Sequence, residues 1–175
     1  MIAASMKANG VLAEALPMAN KETVDVGRKF TSGKECYPAI LTTGDIVKKA
    51  MSPDFDPEAS AFFMATASGP CRFGQYNKFH RMVLDELGLP HVPIYTMDQG
   101  QNYDEDTKNL GTNFRKLAWN GIMYTDLLQK LQRETRPYEL HKGEADSLYE
   151  KYVKKAELAL EKHLNLVEIA SEANS

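Results

Sequence analysis

Cys36 and Cys71 lie in two turn-rich stretches, Gly33-Lys34-Glu35-Cys36-Tyr37-Pro38 and Gly69-Pro70-Cys71-Arg72-Phe73-Gly74-Gln75-Tyr76. In each, glycine and proline break the chain just ahead of a predicted helix. A thiol at a helix amino end meets exposed N–H groups and the positive end of the dipole, which favour thiolate. Thiolate is the form that ligates metal or attacks an electrophile. The two cysteines stand thirty-five positions apart, so they are not a C-x-x-C redox unit. Tetrahedral zinc needs two further ligands, and a four-iron cluster needs more thiolates than this chain has. His80 reads as a surface or partly buried helix residue, and His91, His141 and His163 have no ligand spacing. The structural alternative is two small core side chains, a common fate of free cysteine. A disulfide between them is allowed but not required.

The neighbours carry paired readings. Arg72 balances a thiolate or an anionic substrate, or simply points to solvent. Glu35 caps the following helix or accepts a proton. Thr42, Thr43 and Asp45 line a pocket or settle an irregular turn. Gln75 and Tyr76, one turn past Cys71, face either a cleft or the core. Asp98 and Gln99 end a predicted strand, where a site or a plain turn fits. Trp119 reads as core or interface, and the charge-rich 149–162 stretch as a solvated helix face. No phosphate loop, dinucleotide fingerprint or nucleophile elbow occurs in the sequence.

The elements that would position these residues follow from periodicity and breakers. Short helices are predicted at Ile2–Asn9 and Glu22–Phe30, and a strand at Val11–Leu16. A helix follows at Pro38–Met51, interrupted early by Thr42-Thr43-Gly44. After a loop at Ser52–Ser60, Ala61–Ala67 reads as a buried strand, Cys71–Leu87 as a helix and His91–Met97 as a third strand. From Asp106 onward the chain reads as helical. Phe114, Leu117, Tyr124, Leu128 and Leu131 share one face there. Ala145–Ala170 reads as one long helix with Leu148, Tyr152, Leu160, Leu164 and Val167 near helical spacing.

This order predicts an α/β protein: a small doubly wound, Rossmann- or flavodoxin-like parallel sheet over 1–105, with a helical extension over 106–175 packing on the same domain. Both cysteine turns and the Asp98–Asn102 loop would then gather at the carboxyl edge of the sheet, where ligands bind in such folds. Three strands and a helical opening suggest a piece of a longer polypeptide with an earlier strand missing.

The chain has 175 residues, 43% hydrophobic and 26% charged, with a net charge of −3. These values fit a soluble globular domain. Scattered lysines and arginines argue against a nucleic-acid surface. No apolar run approaches the ~20 residues of a membrane span. Two cysteines make no disulfide framework, so a reducing, cytoplasmic setting is expected.

The run GKECYPAILTTGD, then FFMATASGPCRFGQYNKFHRMVLDELG, then a YTMDQ loop and RPYELHKGEADSLYEKY, resembles the carboxy-terminal region of the large activase-related proteins of the 2-hydroxyacyl-CoA dehydratase system. The resemblance spans most of the chain, and GPCRFGQY is its most specific element. It implies a setting of low-potential, anaerobic electron transfer. It also implies cysteine-ligated iron–sulfur clusters of the 4Fe–4S type, with Cys36 and Cys71 as ligands and Arg72 beside the cluster. The implied partners are an ATP-binding activase region or other domains of the same polypeptide, and dehydratase-like subunits. The chain lacks the ATP-binding region and a third cysteine. Three functions stay open at this level: an iron–sulfur electron-transfer domain, a docking or scaffold module that also allows a homodimer, and an acyl-CoA-binding domain.

Overall fold

The computed structural model describes residues 1–97, 110–111 and 113–174. These residues hold seven α-helices, two 3-10 turns and one pair of short strands, joined by loops. The helices are α1 (Ile2–Lys7), α2 (Lys21–Lys29), α3 (Tyr37–Ala50), α4 (Tyr76–Glu86), α5 (Phe114–Thr135), α6 (Glu144–Glu161) and α7 (Leu166–Ala173). The strands are β1 (Phe62–Phe63) and β2 (Ile94–Tyr95), which pair in parallel. The doubly wound sheet expected from the sequence is therefore overturned: 59% of the described residues are helical, and the sheet they form has two strands.

The physical reason is partnership. Val11–Leu16 has the composition of a strand but no ladder to join, and Leu12 stands fully in solvent at 101% exposure. A strand exists only where its backbone groups find a neighbour. The apolar runs at 61–67 and 91–97 do find each other. Phe62 N–H donates to the Pro93 carbonyl at 2.9 Å, Met64 to Tyr95 at 2.9 Å and Thr66 to Met97 at 3.2 Å. Only their centres keep regular strand geometry.

The chain divides into two compact units, residues 16–106 and residues 1–15 with 107–175. The opening helix α1 thus belongs with the helical extension, packing on α5 and α6.

In the unit of residues 16–106, α2 starts at a reciprocal cap. Thr23 N–H donates to Asn20 Oδ1 at 3.0 Å, and Asn20 N–H to Thr23 Oγ1 at 3.2 Å. Helix α2 crosses α3 backbone to backbone. A Cβ at Gly27 would lie 2.0 Å from the Ile40 carbonyl oxygen, and one at Gly44 2.0 Å from that of Thr23. The core joins Ile46 of α3, Phe62 of β1, Leu84 of α4 and Val92. Phe55 stacks on Phe62 with ring centroids 5.5 Å apart. Arg81 clamps the turn from α4 into β2: its guanidinium donates to the Leu89 and Val92 carbonyls and pairs with Asp85 at 2.8 Å.

In the other unit, Tyr124 and Leu128 of α5 pack on Ala156 and Ala159 of α6 and Ile169 of α7. The predicted α5 face holds: Phe114, Tyr124 and Leu128 are buried, Leu117 and Leu131 half-buried. The predicted face of the last helix holds in part: Leu160 is buried and Tyr152 half-buried against the core. Leu148, Leu164 and Val167 are exposed, whereas Ala145, Ala156 and Ala159 are buried beside Leu160. The single helix expected over 145–170 is broken at residues 162–165, where His163 adopts φ 55° and Asn165 caps α7 by accepting from Val167 N–H at 3.0 Å.

Candidate functional site

Both cysteines occupy helix-start positions. Cys36 is the N-cap of α3 with extended φ −70°, ψ 153°, and Tyr37-Pro38 opens the helix behind it. Proline there gives up an N–H that the first turn leaves unpaired anyway. Cys71 is the N-cap of a 3-10 turn, Arg72–Gln75, that leads directly into α4. The turn folds back tightly on the end of β1: Thr66 Oγ1 donates to the Gly74 carbonyl at 3.1 Å, and a Cβ at Gly74 would sit 2.2 Å from the Ala67 oxygen.

Tyr76, the first residue of α4, links the two turns. Its hydroxyl lies 2.6 Å from Cys36 Sγ. Tyr76 is buried, Cys36 half-buried and Cys71 exposed. The Tyr76 hydrogen bond is the main cause holding the Cys36 thiol below its ordinary value, against partial burial; the Ala39 N–H and the Arg72 charge add to it. Burial, then the bond to Cys36, then the charges of Cys36 and Cys71 push the Tyr76 phenol up to about 12. The two shifts agree: when Cys36 is a thiolate, Tyr76 keeps its proton and donates to the sulfur. Only Cys36 touches this hydroxyl; Cys71 stands at the head of the turn that leads into Tyr76.

Two more ties run between the same segments. Arg72, although exposed, donates from Nη1 to the Lys34 carbonyl at 2.8 Å. That bond fixes its guanidinium beside Cys36, so the reading of Arg72 as a purely solvated side chain does not describe it. One turn deeper, His80 Nε2 lies 3.2 Å from Thr42 Oγ1. His80 is 1% exposed, a correction to its reading as a surface or partly buried residue. Burial pushes its pKa down to about 4, so the ring is neutral. The spacing of Tyr76, His80 and Leu84 on one face of α4 was the available signal.

The remaining predicted residues are placed as follows. Glu35 does not cap α3; half-buried, its carboxylate accepts from Ser32 Oγ at 3.0 Å and Lys34 N–H at 3.1 Å. Those short-range bonds, led by its own backbone N–H, hold its pKa below the usual value despite slight burial. Thr43 is fully buried, with no partner for its hydroxyl among the described residues. Gln75 is exposed at the N-cap of α4 and makes no capping bond. Asp45 is half-buried, and burial raises its carboxyl against a bond from Thr23. Asp98 and Gln99 lie outside the described residues. A groove of about 390 Å³ beside α2 and α3 is lined by Asn20, Val24, Arg28, Tyr37 and Leu41, and by neither cysteine.

The donor set tests the iron–sulfur expectation directly. Cys36 stands at the amino end of α3, whereas Cys71 caps only the 3-10 turn ahead of α4; thiolate sulfur is a soft donor at either place. Among the described residues no group of three or more His, Cys, Asp or Glu is placed to hold a metal. The two cysteines by themselves do not complete a cluster's ligand set. Among the described residues, no helix is long and apolar enough to cross a membrane. No family model matches the chain, and neither a curated protein nor a solved structure matches it.

Proposed function

We propose that this chain is the cysteine-bearing part of an activase-like electron-transfer protein, in which Cys36 and Cys71 supply two thiolate ligands to an iron–sulfur cluster and the remaining ligands come from outside the chain. One observation carries the reading: Tyr76, which opens the helix that the Cys71 turn leads into, sets its hydroxyl 2.6 Å from Cys36 Sγ. A cluster bound there would supply one-electron transfer. The chain's own residues prepare the ligands. Tyr76 donates to sulfur and draws charge from it, as hydrogen bonds to cluster sulfurs do when they tune a potential. Arg72, fixed on the Lys34 carbonyl, offsets negative charge and ties the Lys34–Cys36 turn to the Cys71–Arg72 turn.

Anaerobic reconstitution with ferrous iron, sulfide and an excess of a small thiol tests this. The added thiol fills the coordination positions that the chain leaves open. The expected result is a broad visible absorption that survives desalting with bound iron and sulfide in the wild-type chain, and is lost in a C36A/C71A variant. A wild-type chain that retains no iron, or a double variant that retains as much, overturns the proposal.

A further inference from the structure

Helix α5 is apolar on both faces. Phe114, Tyr124 and Leu128 fill the core of its unit. On the opposite face Trp119 is 64% and Met123 53% exposed, with Ile122 and Leu127 beside them. An amphipathic helix at the surface of a finished fold has one apolar stripe, and a second stripe marks a surface that meets a partner. Exposed tryptophan and methionine are the residues that dominate such contacts.

The charges around the stripe say what the partner is. Lys116 and Asp126 are both exposed on this face. In sequence, Gly121 stands midway between Lys116 and Asp126, and midway between Trp119 and Met123. A two-fold axis level with Gly121, running two copies of α5 antiparallel, sets Trp119 against Met123 of the second copy. It also sets Lys116 beside Asp126 of the second copy, twice. A parallel two-fold pairing would instead set Lys116 beside its own equivalent. The face is therefore self-complementary in the way an isologous contact requires.

We propose that α5 mediates a weak homodimer, antiparallel across Trp119 and Met123, with Lys116–Asp126 pairs at its rim. It does not depend on the thiol site. One helix face buries less than a standard interface, so association falls in the micromolar range or weaker.

Sedimentation velocity of the full chain, from micromolar to near-millimolar, reads the equilibrium. A concentration-dependent dimer is expected. W119E weakens it at least about tenfold, since a charge replaces the central anchor. K116E and D126K each weaken it by about threefold to tenfold, through like charges at the rim. The double variant K116E/D126K restores the wild-type dissociation constant, and a mixture of the two single variants forms a heterodimer. All three positions are exposed, so unchanged thermal melts verify the fold in each variant. A chain that is monomeric throughout, a dimer indifferent to W119E, or a double variant no better than the singles overturns the proposal.

Discussion

Gly44 on α3 and Gly121 on α5 are both buried mid-helix glycines, yet their surroundings differ in kind. At Gly44 a Cβ would meet the Thr23 carbonyl oxygen at 2.0 Å, and Gly27 repeats this against Ile40. At Gly121 a Cβ would meet Leu160 Cδ1 and Met1 Cβ, each at 3.0 Å. Backbone cannot yield without moving a helix, whereas side chains can turn aside. The unit of residues 16–106 is thus held by close backbone crossing and by polar ties that converge on the thiols. The other is held by ordinary side-chain packing and leaves an apolar face outside. Rigid positioning belongs with the first and surface contact with the second.

The largest expected effect follows from that contrast. Gly44→Ala costs at least about 3 kcal/mol, the upper range of overpacking, even after the gain in helix propensity. Urea unfolding followed by circular dichroism measures it. A Gly44→Ala protein as stable as wild type would remove backbone crossing as the organising feature of that unit.

Acid probes the same seam. His80 is neutral when folded, with a pKa of about 4 against 6.5 unfolded. The unfolded chain therefore binds the extra proton first. The stability that His80 contributes is complete above pH 6.5 and is lost as pH falls toward 4, by at most about 3 kcal/mol. Melting temperature against pH measures the slope, and His80→Gln flattens it in that window. An identical slope in His80→Gln would move the acid sensitivity elsewhere.

Gly121→Ala is expected to change stability by no more than about 1 kcal/mol in the same urea assay, because propensity and mild crowding offset each other. A loss as large as that at Gly44 would erase the contrast between the two units.

The smallest effect on folding is expected from Tyr76→Phe, which removes only the hydroxyl. Its consequence is chemical: Cys36 loses the main group that lowers its pKa. In a Cys71→Ser background, the rise of Cys36 alkylation with pH moves to higher pH. An unmoved profile would show that Tyr76 does not tune the thiol.

Local signals were legible where the deciding residues lie within a turn or two. Proline after Cys36 and glycine before Cys71 mark helix starts, and both cysteines are N-caps. Phe114, Tyr124 and Leu128 repeat at helical spacing on α5 and are buried. Size misled on α6 and α7, because Ala156 and Ala159 allow closer packing than leucine, so the alanines went inside and Leu148, Leu164 and Val167 stayed out. Val11–Leu16 misled differently: β-propensity describes fit to a sheet and cannot supply the neighbouring strand. His80 was misread because histidine is usually polar surface, and only the Thr42 hydroxyl across the helix interface gives it a buried bond.

The chain alone fixed where its helices begin, which thiols stand at those beginnings and which stripe of α5 turns inward, since backbone breakers and side-chain periodicity act over a few positions. Folding in three dimensions decided that two strands rather than a full sheet would form. It also decided that Tyr76, forty positions from Cys36, would place its hydroxyl on that sulfur. Contacts at such separation depend on how helices cross, and here the crossing is set by the absence of a Cβ at Gly27 and Gly44.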